Sequence, residues 1–343
     1  MAYEQPVLWL GLTGFTPELH EHLKSVLGRL PKGWPVWHVG PFVEADAWLV
    51  SGEKSRLLGT DSLKIQAGLP TERAVQLRLE EVDRPIAFSL PMGSGDLDPV
   101  YTFDPTSITS LHKVLQQFEG FLRPLRSQFV LGGQLIEREN QLLPGIYHVS
   151  HNGKLLAVMD FHDWRIGISP SAEPVDFEQA RWDKRPREAR DIPAHFLNSS
   201  LTQLRWIYAQ RTERDVLPPR YRSKPIYFRH APNVPLRWLR DSQLLLLREL
   251  SIEPLDFDAL RRRTGLKPTQ LARDLASLYF ASSVTTTREK AGTAGLGGPD
   301  EQLSVNPPNS EEALFIDPES ALARRPHSAL TRDLTAPVLL GLR

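Results

Sequence analysis

The sequence predicts a multidomain chain that is α/β at the front and α+β behind. Three observations predict it. Short apolar runs alternate with helical patterns over residues 6–122, an Asn-Gly turn sits between two strand-like runs near the middle, and apolar spacing turns helical from Leu201. A length of 343 residues accommodates two or three ordinary domains.

The front elements follow in order. Val7-Leu8-Trp9-Leu10 reads as a buried strand. Thr16-Pro17-Glu18 supplies an N-cap, a proline at the first helical position and an acid in the first turn. That helix carries Leu19, Leu23, Val26, Leu27 and Leu30, and Gly33 ends it. Val36–Val39 and Ala47–Val50 read as the next strands, then a helix over Thr71–Glu81. Ile86–Leu90 and Val100–Phe103 complete five strands, and a helix from Thr106 closes the unit with Leu111, Val114, Leu115, Phe118 and Leu122. Strands alternating with helices predict parallel pairing, so residues 1–123 read as a flavodoxin-like, doubly wound, five-stranded parallel sheet.

Three segments of this unit resemble one family. Ala45-Asp46-Ala47-Trp48-Leu49-Val50-Ser51 is similar to the third strand of bacterial response-regulator receiver domains. Pro85-Ile86-Ala87-Phe88-Ser89 resembles their fourth strand, which ends in a Ser or Thr. Tyr101-Thr102-Phe103-Asp104-Pro105, followed by Ser110-Leu111, resembles the fifth strand and the turn after it. The resemblance implies an Asp that accepts phosphate, an acidic pair that holds Mg²⁺, and a Lys that contacts the phosphoryl group. Here those positions read Ser51, the acid-free Leu10-Gly11-Leu12-Thr13, and Asp104. Mg²⁺ requires carboxylate oxygens, and phosphoryl transfer requires neutralised charge. Ser51, Ser89 and Asp104 therefore mark degenerate phosphorylation-site positions. Two readings stand: a pseudo-receiver serving as a contact or dimerisation surface, and an unrelated small α/β domain.

Residues 124–200 predict a small antiparallel meander. Leu125–Asn140 reads as a helix weakened, or turned, at Gly132-Gly133. Ile146–Ser150 and Lys154–Met159 flank His151-Asn152-Gly153, a strong hairpin signal, and Trp164–Ile168 adds a third strand. Pro170–Pro174 and Lys184–Arg187 read as loops. His148, His151, Asp160, His162 and Asp163 are metal-capable types, but their spacing imposes no ligand geometry, so no metal is assigned. Gly93-Ser94-Gly95 lacks the five-residue nucleophile pattern, and no glycine-rich phosphate loop precedes a Lys.

Residues 201–290 predict a helical unit. Arg220 to His230 is basic and aromatic, which suits either a nucleic-acid contact or aromatics packed inward beneath solvated charges. Leu239–Leu250 is a helix, Asp256 caps a second, Thr264-Gly265-Leu266 turns, a third opens at Thr269, and Ser283–Thr287 is strand-like. The run Leu260–Val284 resembles the helix-turn-helix of winged-helix regulators. That resemblance puts Arg261, Arg262, Arg263, Lys267, Gln270 and Arg273 on the side facing double-stranded DNA. Winged helices also bind proteins. From residue 291 the chain is rich in Gly, Pro, Ser and charge and reads as a disordered tail, with Leu314-Phe315-Ile316 and Val338-Leu339-Leu340 as short apolar spots.

Composition narrows the classes. No cysteine is present, so disulfides, thiolate zinc sites and cysteine nucleophiles are excluded. Formal net charge is zero, yet residues 202–290 hold 17 Lys/Arg against 9 Asp/Glu, while 291–343 hold 4 against 7. No basic-then-apolar leader opens the chain, and no apolar run approaches the ~20 residues that span a bilayer, so a soluble, cytoplasmic protein is expected. The sequence thus predicts a regulator and not an enzyme, without cofactor. It either binds DNA behind a phosphorylation-incompetent front domain, or serves as an adaptor for a signalling protein or for a second copy of itself.

Overall fold

Val7–Thr13 is apolar on both faces because it runs between two parallel neighbours. The computed structural model describes residues 4–31, 33–93 and 97–292, so Ser94, Gly95 and the tail from residue 293 lie outside the described residues. The chain divides into two compact units between Arg126 and Ser127. The second unit holds the meander and the helices after it.

The first unit contains β1 (Val7–Thr13), α1 (Pro17–Leu27), β2 (Val36–Gly40) and β3 (Ala47–Val50), then β4 (Ser55–Leu58), β5 (Ser62–Ile65) and β6 (Val75–Arg78). It ends with β7 (Ile86–Ser89), β8 (Thr102–Phe103) and α2 (Ile108–Phe121). A five-stranded sheet runs β2-β1-β3-β7-β8, every pair parallel. Thr16 starts α1 by accepting from the Leu19 amide at 3.4 Å, and Ser107 starts α2 by accepting from Ser110 at 3.2 Å. Both helices pack on one face of the sheet, with Leu8, Leu10, Leu12, Leu49 and Phe103 beneath them.

The other face departs from expectation. The sequence predicts a helix over Thr71–Glu81, but the chain there forms β6 and a 3₁₀ turn, Leu79–Glu81. Val75 and Leu77 alternate with exposed Gln76 and Arg78, which is the period of a strand. They lie with Leu63 and Ile65 of β5 against Trp48, Val50, Ile86 and Phe88. The parallel sheet is therefore layered by helices on one face and by the antiparallel sheet β4-β5-β6 on the other.

A helix, α3 (Arg123–Glu137), crosses the division. Behind it stands an antiparallel sheet in the order β12-β9-β10-β11-β13. Its strands are β9 (Ile146–His151), β10 (Lys154–Asp160), β11 (Arg165–Ile168), β12 (Arg181–Arg185) and β13 (Leu197–Ser200), with α4 (Pro174–Glu178) before β12. The β9–β10 hairpin turns where expected: Asn152 and Gly153 have φ of 49° and 76°, the left-handed pair of a tight hairpin turn. Lys184-Arg185, expected in a loop, belong to the edge strand β12. The helix α5 (Leu201–Arg211) follows β13 directly, with Ser200 and Gln203 forming its capping box, and is buried around nearly its whole circumference.

Gly132 and Gly133 are not a turn. They lie inside α3, where a Cβ on Gly132 would stand 2.7 Å from the Leu204 carbonyl and one on Gly133 2.8 Å from the Tyr208 ring. The two glycines let α3 and α5 approach backbone to backbone.

The helical part continues with α6 (Arg220–Ser223), β14 (Tyr227–Phe228), α7 (Asp241–Ile252), α8 (Phe257–Thr264), α9 (Pro268–Phe280) and β15 (Val284–Thr285). Asp256 caps α8 by accepting from Ala259 at 2.7 Å. Gly265 ends it at φ 68°, a left-handed conformation that glycine adopts without a Cβ clash. β14 pairs antiparallel with β15, and Ile226 just before it bridges Leu255 between α7 and α8. The strand central to this ribbon thus precedes the three helices. Leu246, Leu250, Leu260, Leu271, Leu275 and Val284 form the core among them.

Candidate functional site

Ser51, Ser89 and Asp104 lie at the C-terminal ends of the neighbouring strands β3, β7 and β8, so the fold brings all three to one sheet edge. Ligands of open parallel sheets bind outside such an edge. Here the chain fills it. Ser89 is buried and its Oγ accepts from the Gly52 amide at 3.1 Å. The carbonyl of buried Ser51 accepts from Ser55 Oγ at 2.7 Å. Asp104 is exposed and turned to its own loop, accepting from the Thr106 amide at 2.9 Å and hydroxyl at 2.7 Å. Those bonds hold its carboxyl below the usual carboxylate range.

A residue that the sequence reading passed over completes the closure. Glu72 Oε2 accepts from Gly68 at 3.0 Å, Leu69 at 3.3 Å and Gly14 at 3.4 Å. An internal carboxylate therefore occupies a nest of backbone donors at the end of β1. Glycines permit the tight packing: a Cβ on Gly68 would stand 2.1 Å from the Phe15 carbonyl, and one on Gly52 2.0 Å from the Ser89 carbonyl. Glu72 stands three residues after Leu69, a local capping spacing; its contact with Gly14 has no signal in sequence.

Two of the metal-capable types of the middle sheet bond backbone groups. His148 Nε2 lies 2.9 Å from the Ala189 carbonyl, and Asp160 Oδ1 accepts from the His162 and Asp163 amides at 2.8 and 3.2 Å. Among the described residues no cluster of His, Asp or Glu could hold a metal ion.

In the basic and aromatic segment Tyr221 packs inward, while Tyr227 and Phe228 are half-buried. Tyr221 is buried and donates to the Val284 carbonyl at 3.0 Å, while the Arg222 guanidinium lies 4.8 Å over the Phe257 ring and pairs with Asp215 at 2.5 Å.

The six residues expected to face DNA divide. Arg261 pairs with Asp258 at 3.6 Å, and Arg263 pairs with Glu249 at 3.5 Å and with Glu253. Arg262, Lys267 and Gln270 are exposed and Arg273 is half-buried. Lys267, Gln270 and Arg273 cluster at the start of α9; beyond them the helix is buried. Leu271, Ala272 and every residue from Asp274 to Phe280 are buried, and α5 packs along α9. Only the first turn of α9 and Arg273 meet solvent.

No family model matches the sequence, and no curated protein and no solved structure matches the chain. No helix among the described residues is long and apolar enough to cross a membrane.

Proposed function

We propose that the chain is a non-catalytic regulatory adaptor whose two units offer protein-contact surfaces. The observation that carries this reading is the burial of α9 by α5. A helix that reads a major groove needs a free face along its N-terminal turns. Past its first turn, α9 spends that face, Arg273 apart, on the protein's own core. The helix order, the αL turn at Gly265 and the β14–β15 ribbon support a winged-helix-like unit, a fold that serves protein contacts as well as DNA.

At the front, the strand order β2-β1-β3-β7-β8 is that of flavodoxin-like sheets, and the shared edge of Ser51, Ser89 and Asp104 supports a receiver-like ancestry. The Glu72 nest and the buried serines support an edge that works without phosphorylation.

The DNA reading rests on the exposed Arg262, Lys267 and Gln270. Anisotropy titration of the full chain against mixed-sequence duplex DNA at about 50 and 200 mM salt separates the two, because phosphate contacts make affinity fall steeply with salt. The adaptor reading expects no saturable binding at either concentration. Saturable binding with a steep salt slope, weakened by Lys267→Ala, would overturn it.

A further inference from the structure

Leu244, Arg248 and Ile252 recur at i, i+4 and i+8 and so share one face of α7. Leu244 is 44% exposed, Ile252 69% and the Arg248 side chain 69%. The opposite face, with Gln243, Leu246 and Leu250, is buried in the core. Leu236, on the turn leading into α7, is also exposed. The result is an apolar stripe interrupted by a guanidinium that Glu249 pairs on one side at 2.6 Å. Arg261 and Arg262 are exposed on α8, which packs against α7. Such a surface suits a short segment with an apolar centre and acidic flanks: apolar side chains cover the stripe and carboxylates meet the arginines.

The chain contains one such segment, Glu311-Glu312-Ala313-Leu314-Phe315-Ile316-Asp317-Pro318-Glu319. It lies outside the described residues. Residues 300–319 hold six acids and no Lys or Arg, whereas 202–290 carry an excess of eight positive charges. Between Gly292, the last described residue, and Glu311 stand 18 residues. At ~3.3 Å per residue these reach up to about 60 Å, several times the ~18 Å length of α7.

We propose that residues 311–319 dock on the Leu244–Arg248–Ile252 face of α7 in the same chain. Leu314, Phe315 and Ile316 cover Leu244 and Ile252, and the flanking acids face Arg248, Arg261 and Arg262. A tethered segment acts at an effective concentration of roughly millimolar. An external protein with the same acidic-apolar pattern would compete with this segment for the surface. The docking does not depend on whether the first turn of α9 meets protein or DNA.

The absence of cysteine permits a direct test in the full chain. Ile252→Cys with Phe315→Cys is oxidised mildly beside a control, Val175→Cys with Phe315→Cys, Val175 being an exposed residue of α4. The docked pair is expected to form an intrachain disulfide about tenfold faster than the control. Equal rates overturn the proposal, and a disulfide that appears mainly between two chains overturns it in favour of a second copy. Independently, maleimide labelling of the single Ile252→Cys chain is expected to quicken severalfold when Phe315→Asp is added. Unchanged labelling also overturns it.

Discussion

Arg205 Nη2 donates to Glu139 Oε1 at 3.0 Å, and the Arg205 side chain, on the buried helix α5, is only 2% exposed. Its guanidinium lies 5.3 Å over the Trp164 ring, while its Nε and Nη1 are buried without a hydrogen-bond partner among the described residues. Burial holds the guanidinium below its ordinary range, and Glu139 opposes that.

Removing one partner of such a pair strands a charge, whereas removing the buried charge itself costs less. Glu139→Ala is expected to destabilise by about 3 kcal/mol, the low end for buried pairs because the Glu139 side chain is 25% exposed. Arg205→Met is expected to cost less, since Glu139 can hydrate. Urea unfolding of the two variants checks the order; a costlier Arg205→Met would contradict it.

Glu72 stabilises the first unit through one oxygen. Glu72→Ala leaves the amides of Gly14, Gly68 and Leu69 without their acceptor and is expected to cost about 1–3 kcal/mol. Glu72→Gln keeps an acceptor oxygen and should lose less. Hydrogen exchange at those amides reads the change locally, with faster exchange expected in the alanine variant.

The close approach of α3 and α5 predicts an unusual glycine penalty. In an exposed helix interior, Gly→Ala stabilises by roughly 0.5–1 kcal/mol. Here a Cβ at Gly132 meets the rigid Leu204 carbonyl at 2.7 Å. Gly132→Ala is therefore expected to destabilise, by about 1–3 kcal/mol. A rise in melting temperature would show that the two helices separate at little cost.

These sites also show what the sequence made legible. Asn152-Gly153 is a local signal and gave its hairpin. Ser51, Ser89 and Asp104 were readable as strand ends because each follows an apolar run. The strand β6 was not, since only four residues alternate there, and Val75, Leu79 and Val82 stand at i, i+4 and i+7 and mimic a helical face. The strand β12 hid for another reason: an edge strand tolerates charge, and four of its five residues are charged. The burial of α9 had a partial signal, seven apolar residues among the ten from Leu271 to Phe280, but nothing in it named the cover. Its cover, α5, carries Thr202, Gln203, Arg205 and Gln210 in buried positions, so its sequence reads as a one-sided surface helix.

Glu119 and Arg126 carry the last prediction. Arg126 Nη1 donates to Glu119 Oε2 at 3.2 Å, yet burial outweighs that pairing and pushes the Glu119 carboxyl above its ordinary value of 4.5. The folded state therefore holds this proton more tightly than the unfolded state. The contribution is fully present below the ordinary value and is lost as pH rises through the folded one. Glu119→Gln imitates the protonated form at every pH. It should match the wild type in stability near pH 4 and exceed it near pH 7, as judged by urea midpoints of both proteins at each pH. Taking the difference between the two proteins cancels carboxyls such as Asp104, whose shift runs the other way. If the variant were the less stable at neutral pH, the Arg126 attraction would outweigh the desolvation of Glu119, and the sign argued here would be wrong.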